Sequence, residues 1–423
     1  MDLMLPVLCA FAIADTMAQC RNVPTISRDA PVSLSSGDLE ACAKSFAERS
    51  AAKDVDTKAD AGALRLKEAL GLISMLRIVQ TRPLPCSKKS WTHTVVDPKV
   101  DQTVSTALAQ TGTWDLHIST VVDYLLTLEH SCAFGVVVDV GANIGFFGAQ
   151  AAASGCEVHS FEPQPLMLAA AESTAILNRW QEPSARKPWT PGLRVHRNPV
   201  SATRHLLFPS TVASQNPGGT GADFCQRIVK SNSTLKGKCY SNGCCYKKSV
   251  QLDDMIQPKI ANGESRLIIL KTDVEGFDAD AMMTAKNLIR ERQPMHVLFE
   301  LTPGTVKYHP LYGHMNQPKL GAAKNIEVLR MLEVAGYALA EVPFVATSSS
   351  QSVMAIPFGN VSGTGPSVQE LVRRCAEIEC IGRDGIPRQF TDVWASRDGV
   401  DVFKRFNIAT GAKLPLRPRH NVQ

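Results

Sequence analysis

Residues Val136–Glu162 read VVVDVGANIGFFGAQAAASGCEVHSFE, and this stretch decides the fold. Val136, Val137 and Val138 form a β-branched run short enough for a buried parallel strand. Asp139 stands near the carboxyl end of that strand. Gly141, Ala142, Asn143, Ile144 and Gly145 make a turn, where glycine lets the backbone take unusual dihedrals and approach a ligand closely. Phe146 to Ala153 fits a short helix. Glu157 to Phe161 reads as a second strand, with Glu162 just past its end. In a doubly wound sheet a carboxylate at that place accepts from the hydroxyls of a ribose.

The glycine spacing separates two ligand classes. A dinucleotide loop reads G-x-G-x-x-G and turns a helix N-terminus toward a pyrophosphate. Here the loop is G-A-N-I-G, with no third glycine at that spacing and no P-loop lysine after it. It suits a nucleoside ligand without phosphate, such as S-adenosylmethionine (SAM). The bland alternative is a tight strand-to-helix turn that holds no ligand.

Working outward, strand and helix keep alternating. Ile118, Val121, Val122 and Leu125 lie at i, i+3, i+4 and i+7, an amphipathic helix leading into the first strand. Leu166, Ala169, Ala170, Ile176 and Leu177 mark another helix face, and Leu193 to His196 a third strand. Leu267 to Lys271 is the fourth strand, Ala279 to Arg290 its helix, and His296 to Leu301 the fifth strand. Ile326, Leu329 and Leu332 mark the next helix, with Gly336 at C′. Ser352 to Pro357 and Phe390 to Ser396 should supply the last strands. Such repeats predict an α/β fold with a mostly parallel sheet and helices on both faces. Earlier in the chain, Leu66, Leu70 and Ile73 predict a helix over residues 61–79, stopped by Pro83 and Pro85. Phe208 to Lys248 is rich in Gly, Ser, Asn and Cys and reads as a cysteine-rich surface insertion.

The 423 residues carry 20% charged and 44% hydrophobic side chains, an ordinary globular composition. Net charge is +5, spread along the chain, and the pair Arg417 and Arg419 is too small to predict nucleic-acid binding. Leu3 to Ile13 is apolar but too short for a membrane span, so no stable span is expected there. Thr16 and Ala18 suit signal-peptide cleavage after Ala18, although Asp2 stands where a basic residue is usual. A buried N-terminal helix is the alternative. There are twelve cysteines, among them Cys225, Cys239, Cys244 and Cys245 in one hydrophilic segment. Their spacings do not repeat as zinc ligands do, so disulfides in an oxidising compartment are expected. Cleavage after Ala18 leaves eleven cysteines, and Cys156 is the expected buried free thiol. Asn232 and Asn360 head glycosylation triplets. The resulting map is a signal peptide over 1–18, a leader over 19–112, the strand–helix domain over 113–400 with an insertion at 208–248, and a tail over 401–423. A cytoplasmic location follows instead if the N-terminal segment is not a signal.

A second constellation is KTDVEGFD, residues 271–278, between an apolar strand and a helix. Open α/β sheets bind ligands outside the carboxyl ends of their strands. Topology therefore places Asp273 and Glu275 beside the first motif's ligand, and Glu300 ends the fifth strand in the same way. Gathering acidic residues in one crevice is costly unless they bind something. Asp273 could instead cap the following helix, and Asp278 suits its first turn, where the dipole favours negative charge.

Together these segments resemble the FkbM-type family of SAM-dependent methyltransferases. The resemblance is carried by VVVDVGANIGFFGAQAA, HSFEPQP, SVQLDDMI, LIILKTDVEGFDADAM and HVLFEL, in the family's order, over roughly residues 113–400. It implies a Rossmann-like methyltransferase sheet and O-methylation of sugar or polyketide hydroxyls. It implies SAM-loop roles for Asp139, Gly141, Asn143 and Gly145, and a ribose contact for Glu162. The segment ending at Ser201 would line the adenine, although Pro199 departs from the small residue usual there. Asp273 and Glu275 match D-V-E-G, with Thr272 a mild departure. The expected acceptor is a glycan or another small hydroxylated molecule. Asp273 is the expected base or orienting residue, and Glu275 the alternative. A carboxylate at its ordinary pKa is a weak base unless burial raises it. His309 and His314 are further candidates, and no motif requires a metal. Two other readings stay open: a secreted binding module on a degenerate methyltransferase fold, and a nucleotide-dependent oxidoreductase, which the missing third glycine disfavours. A luminal enzyme would need its SAM imported. Oligomeric state is not legible.

Overall fold

The computed structural model of the protein describes residues 71, 74–128, 132, 135–180, 192–202, 205–209, 244–260, 265–291, 293–302, 318–342, 355–357, 372–373, 380–381, 387–388 and 391–411. In chain order come β1 (Leu76–Gln80), β2 (Thr92–Val96), α1 (Val104–Thr111), α2 (Leu116–Thr127), β3 (Gly135–Val140), α3 (Phe146–Ala153), β4 (Glu157–Phe161), α4 (Pro165–Leu177) and β5 (Gly192–His196). They are followed by β6 (His205–Pro209), β7 (Cys244–Lys248), α5 (Leu252–Ile260), β8 (Arg266–Thr272), α6 (Asp278–Met283), α7 (Lys286–Arg290) and β9 (His296–Leu301). The last are α8 (Pro318–Val334), β10 (Ala338–Val342), β11 (Ile356–Pro357), β12 (Cys380–Ile381), β13 (Pro387–Arg388), β14 (Thr391–Ser396) and α9 (Asp401–Ala409).

Eight strands form one sheet in the order β11-β10-β14-β9-β8-β3-β4-β5. The ladders from β9 through β8, β3 and β4 to β5 are parallel. Strand β14 runs antiparallel between β9 and β10, and β11 pairs antiparallel at the edge. The chain leaves β3 toward β4 and β5, then returns to place β8 on the other side of β3. That reversal opens a crevice at the carboxyl ends of β3 and β8, where doubly wound sheets bind ligands.

Side chains alternate across β3, so the sheet separates two cores. Val137 faces one core with α2, α3, α4 and the β1–β2 pair. Val136, Val138 and Val140 face the other with α5 to α8. Helix α9 joins the first core, where Phe403 and Phe406 meet Trp394 edge-on at 4.7 and 5.5 Å between ring centroids.

Four local expectations change. Residues 76–79 continue no helix: LRIVQ forms β1, antiparallel to β2, with Arg77 and Gln80 outward and Leu76, Ile78 and Val79 inward. The rest of the helix expected over 61–79 lies largely outside the described residues. The sheet also reaches this leader, because Asn178 and Thr174 on and after α4 accept from the N–H groups of Thr92 and Thr94. The helix expected over 279–290 is two helices. Thr284 turns its hydroxyl to the Ala281 carbonyl and accepts from the Leu252 N–H, and the backbone restarts as α7. Strand β10 was not expected. Its ALAEV follows a Schellman turn, in which Gly336 at φ 82° donates to Glu333 and Tyr337 donates to Leu332. Finally, Cys156 is not a free thiol. It is disulfide-bonded to Cys132, which precedes β3 just as Cys156 precedes β4, so neighbouring strand starts bring the two sulfurs together. Cys86 is disulfide-bonded as well. At the cysteine-rich insertion, β6 and β7 pair as an antiparallel base, and the residues between them lie outside the described set.

Candidate active site

The glycine loop is built around the backbone of the second motif. Gly141 has φ 75°, and a Cβ there would stand 1.8 Å from the Asp273 carbonyl oxygen. The N–H groups of Gly141 and Ala142 donate to Phe161 at the end of β4, and the Asp273 N–H donates to Val140. Three strand ends are thereby pinned within one turn. Asn143 takes φ 52°, a left-handed conformation that asparagine tolerates better than most residues. Its side-chain carbonyl accepts from the Ile144 N–H at 2.8 Å, and its own N–H donates to Glu162 Oε2 at 2.9 Å. Gly145, at φ 82°, caps α3, and a Cβ there would press on Ala171 of α4 at 2.7 Å.

Glu162 is held from both sides. Besides Asn143, the Gln164 N–H donates to its Oε1 at 2.8 Å. Burial raises its pKa to about 8, against the two N–H donors. Glu162 nonetheless borders a cavity, with Phe161, Ile144, Phe147 and Val200 as apolar walls. Across the cavity lie Lys271, Asp273, Val274 and Glu275, and Trp114 closes another side. Among the lining residues Lys271 is the one cation.

Asp139 lies beneath the loop, fully buried. Its Oδ2 accepts from the Gly148 N–H at 3.2 Å. Its Oδ1 has no hydrogen bond among the described residues and faces Lys271 Nζ at 3.6 Å. Asp139 and Lys271 are cross-strand partners in the β3–β8 ladder. Burial raises the Asp139 pKa and Asp273 adds to it, while Lys271 pulls it down. Asp273 presents a carboxylate that is 35% exposed, 3.4 Å from the same ammonium.

Residues 139–338 match the family model described as the methyltransferase FkbM domain. Over these residues the chain is similar to FkbM-type methyltransferase domains. The match begins at the loop aspartate and runs past both motifs to the first residue of β10. No curated protein matches the chain.

In this methyltransferase the D-V-E-G turn is a left-handed pair, Glu275 at φ 55° and Gly276 at φ 91°. Asp278 stabilises it by accepting from the N–H groups of Val274 and Gly276 at 3.2 and 3.3 Å. Burial and the Asp273 charge push Asp278 up to about 7. Glu300, at the end of β9, faces the same group. Burial and then Asp273, Asp278, Glu275 and Asp392 hold its carboxyl well above the ordinary range. Its Oε2 makes no hydrogen bond among the described residues. Asp392 is Glu300's cross-strand partner on β14. Buried His117 bridges Asp115 and Asp392, with ring nitrogens 2.6 Å from each carboxylate. Burial would lower His117, but the two carboxylates outweigh it and raise the imidazole to about 10. The methyltransferase therefore holds His117 as a cation at the rim of the acidic group.

Six of the eight sequence candidates gather at this crevice: Gly141, Asn143, Glu162, Asp273 and Glu275 line the cavity, and Asp139 supports it through Lys271. Gly145 shapes the loop from the α4 side. Ser201 turns away and donates to Asp280, while Pro199 and Val200 line the cavity from that segment. His309 and His314 lie outside the described residues. Sequence reasoning missed Lys271, Trp114 and His117. Lys271 carried a signal, since a lysine inside an apolar strand run requires a partner. The described residues contain no group of three or more His, Cys, Asp or Glu placed to hold a metal.

Proposed function

We propose that this methyltransferase uses SAM to methylate a hydroxyl of a glycan or another small hydroxylated acceptor. The observation that carries the reading is one cavity lined by both Glu162 and Asp273. The residues present fit such a cofactor. Glu162 is a buried carboxyl at the ribose position of a doubly wound sheet, and Phe161 and Val200 offer an apolar slot for a base. The lining has one cation rather than the several donors a pyrophosphate needs. SAM supplies a methyl group on a cationic sulfur, and the carboxylates on this side of the crevice suit a positive ligand.

The protein's own part is positioning and proton handling. Holding two reactants in register contributes on the order of 7–11 kcal/mol. Asp273 is a half-buried carboxylate on the cavity lining and would accept or orient the acceptor's hydroxyl proton. Glu275, on the same turn, is the alternative. A positioned base contributes about 10²–10⁴-fold. The test supplies labelled SAM and a panel of glycans to wild-type protein and to Asp273→Ala. Transfer should fall by about 10²–10⁴-fold in the variant while SAM binding persists. Undiminished transfer would remove Asp273 from the role.

We place the enzyme in the secretory pathway or outside the cell. The Cys132–Cys156 bond and the disulfide at Cys86 support an oxidising compartment. A mass spectrum of the protein from its native source, with and without reductant, tests cleavage after Ala18, glycosylation and disulfides together.

A further inference from the structure

The SAM reading accounts for the ribose end of the cavity and for a candidate base, but not for the buried lysine between them. Lys271 is 4% exposed, lines the cavity and lies 4.6 Å from the centroid of the Phe147 ring. Its two ion-pair distances, 3.6 Å to Asp139 and 3.4 Å to Asp273, are longer than the ~2.7–2.9 Å of a tight charged hydrogen bond. An ammonium has three donors. Two long contacts leave it short of partners, and a buried charge in that condition is costly. It is also unsuited to act as a base. Burial opposes its charge, but Asp273, Asp139 and Asp115 outweigh that and keep it protonated.

The charges at this end of the cavity form a pattern. One ammonium sits between two carboxylates, that of Asp139, its cross-strand partner, and that of Asp273, two residues further along the chain. The methionyl arm of SAM ends in the complementary set, one carboxylate and one ammonium. Resting on the SAM reading, we infer that Lys271 binds the carboxylate of the methionyl arm.

The experiment is a binding series by calorimetry on the full chain, and it needs no acceptor. The probes are SAM, decarboxylated SAM, which lacks only the carboxylate, and methylthioadenosine, which lacks the whole amino-acid arm. Wild-type protein should bind SAM at least about tenfold tighter than decarboxylated SAM. This is a stringent expectation, because removing the carboxylate makes the ligand more positive in an acidic site. Lys271→Met should bring that ratio close to one by weakening SAM, with methylthioadenosine affinity within about twofold of wild type. Lys271→Arg should retain most of the ratio. Equal weakening of all three ligands by Lys271→Met would mark a structural role and overturn the inference, as would an unchanged ratio. If Lys271→Met does not fold, the wild-type ratio still decides, since no preference for SAM over its decarboxylated form overturns the inference. Failure of wild type to bind either SAM or methylthioadenosine is a different result. It would sink the SAM reading itself, and this inference with it.

Discussion

Gly141 is the residue on which both motifs depend. Its positive φ and the Asp273 carbonyl 1.8 Å from a hypothetical Cβ leave no room for alanine. Gly141→Ala must move the loop or the β8 terminus, and should cost at least ~2 kcal/mol, read as a lower midpoint of unfolding in denaturant. Glu162 makes a pH-dependent prediction. Its folded pKa is raised from 4.5 to about 8. Below the unfolded value both states hold the proton, and the stabilisation is fully present. As pH rises from there through about 8, the unfolded chain ionises first and stability is lost. Glu162→Gln, which mimics the protonated carboxyl, should remove this share of the slope, so plots of Tm against pH for the two proteins should lie nearest at low pH and separate as pH rises, wild type falling relative to the variant. The positions of Asp139 and Glu162 were legible in the sequence because each stands at a strand end. The pairing of Lys271 with Asp139 was not, because it is set by the β3–β8 register, which no local pattern displays.

At the scale of elements, His117 ties the start of α2 to β14. Asp115 caps the helix in a left-handed conformation at φ 46°, and its carboxylate, with that of Asp392, encloses the imidazole. Removing one partner of a buried ion pair typically costs ~3–5 kcal/mol, because the remaining charge stays buried. His117→Leu should lose about that much at neutral pH in chemical denaturation. With a folded pKa of about 10 against an ordinary 6.5, the wild-type stabilisation is complete below 6.5 and lost as pH rises through about 10. The variant should therefore approach wild type at alkaline pH. Elements with one strong local signal were read correctly from sequence, and α3, β4 and β9 match residue for residue. Those whose form depends on distant partners were misread. LRIVQ becomes a strand because THTVV pairs with it, and α4 in turn holds THTVV.

The whole molecule is a mixed sheet with a covalent tie across its middle. Cys132–Cys156 closes a loop of 24 residues around β3 and the entire glycine loop. A loop of that length contributes ~3 kcal/mol by restricting the unfolded chain. Replacing both cysteines by serine should lower stability by about that amount and leave the order of strands unchanged, which unfolding in denaturant and circular dichroism would show. The parallel half of the sheet was legible because strand and helix alternate there. The antiparallel edge was only partly so. ALAEV has little β-branched character and pairs with a strand that follows a long intervening segment. The contact between Gly141 and Asp273 also bears on how the protein is made. The loop near residue 141 leaves the ribosome long before the strand that ends at 272 exists. Until that strand arrives, the loop is held only by its contacts to Phe161 and Glu162, without the Asp273 backbone against Gly141, and the β3–β4 unit exposes an unpaired edge. Competence to bind a nucleoside should thus appear late in synthesis, and chains truncated before residue 273 should fold into helices and strands yet fail to select the ligand.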